Sequence, residues 1–135
     1  MPVRVVDTSA LGALAFGEPK ADEISKALQD ATMVAPALLW FEVASICLRK
    51  IKAHPSQEGQ LLEAFVLARH LDIKIVEVEH SEVVQLAKEV GTATYDASYL
   101  WVALQVRGEL VTLDEKMRKA SGRRSRRCRR YSKLT

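Results

Sequence analysis

Short apolar runs and longer stretches of helical periodicity take turns along this chain, and their order predicts its architecture. Val3-Arg4-Val5-Val6 reads as a buried strand, and Asp7-Thr8-Ser9 offers capping oxygens to an apolar helical segment that ends at Gly17. Pro19 stands where a new helix can begin, Ala21 to Gln29 carries it, and Thr32 to Ala35 forms a second strand stopped by Pro36. From Ala37 to about Ala53 the pattern is helical and very apolar until His54-Pro55 breaks it. Ser56 is expected to cap a further helix to about His70. Ile73 to Val78 alternates and is rich in branched residues, which predicts a third strand, followed by a Ser81-capped helix that closes at Gly91. A helix over Tyr95 to Arg107, stopped by Gly108, leads into a fourth strand, Leu110 to Leu113, and Asp114 starts a last helical stretch. Strands alternating with helices, several of them continuous apolar runs, predict an α/β fold with a parallel sheet covered by helices on both faces.

A chain of 135 residues fits one domain with a core of its own. The apolar pattern stops at Ala120, so the expected organisation is a domain over residues 1–120 and a C-terminal tail over 121–135. The formal charge of +3 hides a division between them. The tail holds seven of the 20 Lys and Arg and none of the 17 Asp and Glu, which leaves residues 1–120 with 13 basic and 17 acidic side chains, or −4. Arg123, Arg124, Arg126, Arg127, Arg129 and Arg130 form a basic arm suited to neutralising phosphates, as an RNA-binding tail would. Cys47 and Cys128 lie far apart and suggest neither a disulfide framework nor a thiolate metal site, which fits a reducing, cytoplasmic setting. No stretch approaches the roughly 18 apolar residues of a membrane span, so no membrane partner is expected.

The acids change the picture most. Asp7 and Asp114 each follow a predicted strand, the first and the fourth, and in a doubly wound sheet those strand ends can meet at the crevice where the strand order reverses. Glu42 is the only ionisable group, a thiol apart, in the run PALLWFEVASICL from Pro36 to Leu48, and no basic residue lies within four positions of it. A lone charge in such a helix calls for a partner or a cation. Asp96 opens a helix that is apolar over most of its surface. Each aspartate alone could serve as a helix cap. Together, four carboxylates gathered by one fold would repel one another and raise their pKa values unless a divalent cation held them, and an oxygen-only cage suits Mg²⁺ or Mn²⁺. Ser9 and Thr112 are positioned to orient the acids as supporting hydroxyls. His54, His70 and His80 fall at helix ends and turns, where capping rather than zinc binding is expected, and Trp40 and Trp101 fall at core spacing. There is no Gly-rich phosphate loop and no GxSxG elbow.

These pieces resemble the PIN-domain family, in particular the VapC-like toxin ribonucleases of prokaryotic toxin–antitoxin pairs. The matching segments are V-V-D-T-S at Val5 to Ser9, F-E-V-A at Phe41 to Ala44, Y-D-A at Tyr95 to Ala97 and T-L-D at Thr112 to Asp114, in that order across residues 3–120. The resemblance implies a three-layer α/β/α sandwich and Mg²⁺- or Mn²⁺-dependent hydrolysis of RNA phosphodiesters. It also implies a homodimer with an antitoxin partner. Asp7, Glu42, Asp96 and Asp114 carry over as the catalytic acids, with Asp7, Asp96 and Asp114 as direct metal ligands and Glu42 acting directly or through water. One departure stands out, because family members finish with another apolar strand where this chain has SGRRSRRCRRYSKLT. The rival expectations are a stand-alone PIN nuclease of RNA processing, a non-catalytic RNA- or protein-binding module, and a receiver-like signalling domain. A receiver would want paired acids in one loop and a strand-end lysine, which the sequence does not offer in a suitable place.

Overall fold

A computed structural model describes residues 1–122 of the chain. Arg123, Arg124, Arg126, Arg127, Arg129 and Arg130, the arginines of the expected RNA-binding tail, lie outside the described residues. Four parallel strands form one sheet in the order β3-β2-β1-β4, with β1 at Val3–Val6, β2 at Thr32–Ala35, β3 at Ile73–Ile75 and β4 at Glu109–Val111. The helices between them are α1 (Thr8–Ala15), α2 (Ala21–Leu28), α3 (Leu38–Ala53), α4 (Glu58–Ala68), α5 (His80–Val90) and α6 (Thr94–Val106), and a further helical stretch runs over 115–122. Parallel strands need long crossovers, and helices fill them on both faces of the sheet. The expected α/β/α sandwich is therefore the fold.

Strand β1 lies between β2 and β4, so its apolar side chains are covered from two directions. Val5 pairs with Val34 on one side and Leu110 on the other, and Val5 and Val6 are fully buried with Leu11, Ala35, Leu39, Val43, Leu100 and Val102. Two strands are shorter than the sequence predicts. The β3 run stops at Ile75 because its neighbour β2 ends at Ala35 before Pro36, and after the Val76 amide bonds to the Ala35 carbonyl at 2.9 Å the ladder has no further partner. The β4 run begins at Glu109 and ends at Val111, opposite Val6 of β1, which releases Thr112 and Leu113 into a turn. Strand length is set by the neighbour as much as by composition.

Helix ends differ in a similar way. Ser56 sits in a short 3-10 turn at Pro55–Gln57 and makes no capping bond, and the helix proper begins at Glu58. At α5 the cap is Glu79, whose carboxylate accepts from the Ser81 amide, while Gly91 closes the helix at φ +73° as expected. The left-handed residue after α6 is Arg107 rather than Gly108. Gly108 serves close packing instead, because a Cβ there would lie 3.0 Å from the Val3 carbonyl oxygen.

The largest departure concerns α3. Its composition suggests burial on most sides, yet only Leu39, Val43 and Cys47 are buried, whereas Phe41 is 77 % exposed and Leu48 51 %. Leu62, Val66 and Leu67 of α4 are exposed as well. Apolar content alone does not determine burial, since much of any protein surface is apolar. Helix α6 behaves as predicted and buries Ala97, Tyr99, Leu100, Val102 and Ala103.

Candidate active site

The register of β1 and β4 brings together two turns that are distant in sequence. The Asp7 amide bonds to the Val111 carbonyl at 3.3 Å, which continues the ladder by one step and sets Asp7 beside Thr112. Asp7 caps α1, as its position predicts, because Oδ1 accepts from the Ala10 amide at 3.0 Å. The same oxygen accepts from the Ser9 hydroxyl at 2.7 Å, and Oδ2 accepts from the Thr112 hydroxyl. Both hydroxyls are also acceptors: Leu113 donates to Ser9 Oγ at 2.9 Å and Asp114 donates its amide to Thr112 Oγ1 at 3.0 Å. Ser9 and Thr112 thus tie the turn after β4 to the turn after β1. Asp7 is only 4 % exposed, and burial pushes its carboxyl above the ordinary value. The hydrogen bonds from Thr112, Ala10 and Ser9 oppose that rise, while the charge of Asp114 adds to it.

Asp114 is an exposed residue that caps the 115–122 helical stretch, its Oδ1 accepting from the Lys116 amide at 2.8 Å and more weakly from Met117 at 3.4 Å. Asp96 lies in the first turn of α6 and does not cap it, because the residue at the cap is Ala93. Burial raises the Asp96 carboxyl, with the charges of Asp114 and then Glu42 adding to the rise and Lys116 opposing it. These acids therefore sense one another across three separate elements.

Glu42 sits half-buried on α3, where its Oε1 accepts from Thr8 Oγ1 at 2.8 Å and from the Tyr99 hydroxyl at 2.7 Å. Thr8 and Tyr99 are themselves 2.8 Å apart. Among the described residues the ion pairs are Arg4 with Glu109, Lys50 with Glu18 and Arg118 with Glu115, so no cation neutralises Glu42 there. Burial raises the Tyr99 hydroxyl, and its hydrogen bond to Glu42 adds to the rise. The sequence does carry a signal for Tyr99. It lies three residues after Asp96, on the same helix face, and a buried tyrosine hydroxyl needs a polar partner.

Asp7, Glu42, Asp96 and Asp114 all border one cleft of about 250 Å³, along with Ser9 and Tyr99. His54, His70 and His80 are exposed and border none of it. The tryptophans pack, as their spacing predicts: Trp40 meets Phe65 edge-on at 6.5 Å with Arg69 over its ring, and Trp101 donates to Glu82 at 2.8 Å. Among the described residues, no three acidic, histidine or cysteine side chains stand close enough to hold an ion in their present arrangement. The chemistry of the set nevertheless fits a hard divalent cation, because its charged donors are oxygens, and such an ion would offset both the burial that chiefly raises Asp7 and Asp96 and the neighbouring charges that add to it.

Solved structures share this architecture. PAE2754 from Pyrobaculum aerophilum is 25 % identical with a TM-score of 0.72, over 89 % of this chain and 85 % of that one. VapC20 of Mycobacterium tuberculosis, a toxin that cleaves the sarcin-ricin loop, is 15 % identical with a TM-score of 0.64, over 87 % of this chain and 94 % of that one. No curated protein matches the sequence. No described helix is long and apolar enough to cross a membrane. The PIN domain family model matches residues 4–123, a span that takes in both clamped turns and all four acids, and the chain belongs to the PIN-domain family.

Proposed function

We propose that this protein is a Mg²⁺- or Mn²⁺-dependent ribonuclease, the toxin of a toxin–antitoxin pair. The observation that carries the reading is the convergence of four carboxylates, from four elements, on one cleft at the carboxyl ends of β1 and β4. The likeness in fold to VapC20, a toxin that cleaves the sarcin-ricin loop, is in keeping with this reading. Asp7, Asp96 and Asp114 would hold the cation, and Glu42 would join them directly or through water. The chemistry that such an ion would supply is charge to polarise the phosphate and to acidify the attacking water. The protein's own residues orient: Ser9 and Thr112 fix the Asp7 carboxylate, and Thr8 and Tyr99 fix that of Glu42. The exposed apolar side chains of α3 and α4 support a surface covered by an antitoxin or a second copy of the chain.

The test is an RNase assay on the full chain. Cleavage should require Mg²⁺ or Mn²⁺ at about millimolar level, stop with EDTA, and accompany a rise in melting temperature on adding the ion, because only the folded state offers the site. Cleavage that persists in EDTA, or no cleavage with any divalent ion, removes the proposal.

The basic tail is proposed as an affinity arm for RNA. Removing residues 123–135 takes away seven cations. The truncated chain should bind RNA more weakly and with a flatter salt dependence, by about 0.7 in slope for each phosphate that it no longer neutralises, while keeping its response to Mn²⁺. An unchanged slope would show that the tail does not touch RNA.

A further inference from the structure

Beside the acidic cleft a second groove of about 510 Å³ runs between α1 and α3. The two share Ser9 and Ile46 as lining, so they adjoin. We infer that this groove carries the phosphate backbone of single-stranded RNA on one side of the cleavage point, with Arg49 as the phosphate-binding residue and His54 beside it. The inference rests on the ribonuclease reading above and adds the path of the substrate.

Helical spacing makes the connection. Glu42, Ile46, Arg49, Lys50 and Ala53 fall at intervals of three and four and so occupy one face of α3, which leads out of the acid cleft into the groove. Arg49 lies seven positions beyond Glu42, or about 10 Å along the axis. The wall is tightly packed at Gly12, since a Cβ there would stand 3.1 Å from Ile46 Cδ1.

The charges along this face are not equivalent. Lys50 is already engaged by Glu18 at 2.8 Å and lies 5.6 Å from the centre of the Phe16 ring. Arg49 is exposed and has no ion-pair partner among the described residues. A guanidinium without a carboxylate, at the edge of a groove opening from four acids, is suited to a phosphate. It has electrostatic work to do there, because residues 1–120 carry −4 and the acid cleft by itself repels a polyanion. His54 adds an exposed donor on the same wall.

The experiment is binding of a fluorescein-labelled oligouridylate to the full chain across a salt series, in EDTA so that the probe survives. Arg49→Ala should weaken binding about three- to tenfold at low salt and flatten the slope of log affinity against log salt by about 0.7, with Arg49→Glu weaker still. Lys88→Ala makes the same change of charge on α5, which lines no part of the groove, and should leave the slope as in wild type. An unaltered slope in Arg49→Ala, or an equal change in Lys88→Ala, overturns the groove assignment. Cleavage of the same oligonucleotide with Mn²⁺, measured in parallel, separates the two ideas. Cleavage with unaltered slopes removes the groove and leaves the nuclease, whereas the expected slopes without cleavage keep the groove and remove the nuclease.

Discussion

Asp7→Asn should lower RNA cleavage by about 100-fold or more while the protein melts at the wild-type temperature or above. The amide keeps the acceptor for the Ala10 amide and the Ser9 hydroxyl, and Thr112, freed from donating to Oδ2, can turn to accept from the new NH₂ group. What disappears is a buried charge. The Asp7 carboxyl is raised in the folded state by burial and by Asp114, so its ionised form is held against the folding equilibrium. The same holds for Asp96, raised by burial and by the charges of Asp114 and Glu42. Their penalty is in full force above the folded-state pKa values and absent below the ordinary 3.8. From these two groups, the metal-free protein therefore gains stability as the pH falls from neutral through the folded values toward 3.8, and Asp7→Asn removes one share of that gain. Thermal melts across pH, with and without Mn²⁺, and a cleavage assay check both halves. Near-normal cleavage would show that Asp7 is a helix cap and not a catalytic acid, and a melting temperature lower by about 4 °C or more would show that its charge stabilises the fold instead of burdening it.

Glu42→Gln should also reduce cleavage by orders of magnitude and leave the fold intact. Its carbonyl oxygen still accepts from Thr8 and Tyr99, so neither hydroxyl loses its partner. The alternative, a structural acid tied to a cation, would cost about 3 kcal/mol or more through the orphaned partner. No such cation pairs with Glu42 among the described residues. One variant therefore tests both roles: a clearly lowered melting point with near-normal specific activity would take Glu42 out of the active site.

The sequence made the acids legible for a simple reason. Asp7 and Asp114 are fixed by the ends of strands, and the strands announce themselves as apolar runs; β1 and β2 even keep their predicted limits. Limits that depend on a neighbour were harder to read, which is why β3 and β4 end early, where β2 and β1 stop offering partners. The exposed flank of α3 was hidden for the opposite reason. Phe41 and Leu48 look like core residues, and only the placement of α4 and the sheet decides that they face outward. Ser9 and Thr112 could be picked out beside the acids they serve, whereas Thr8 and Tyr99 serve Glu42 from 34 and 57 residues away. Pairings of that kind belong to the folded chain and leave little trace in local pattern.

The hydroxyl clamp between the two turns has a consequence for synthesis. It joins Asp7 to Thr112 across 105 residues, and β1 finds its β4 partner only at Glu109. Pairings so distant in sequence form late, after the loop between them has closed. A nascent chain therefore exposes Asp7 from the start without the groups that complete its surroundings, and the cleft takes shape only when nearly the whole domain has been made. Whatever this cleft does, a chain that stops before residue 109 lacks both the β4 pairing and the Asp114 carboxylate that complete it.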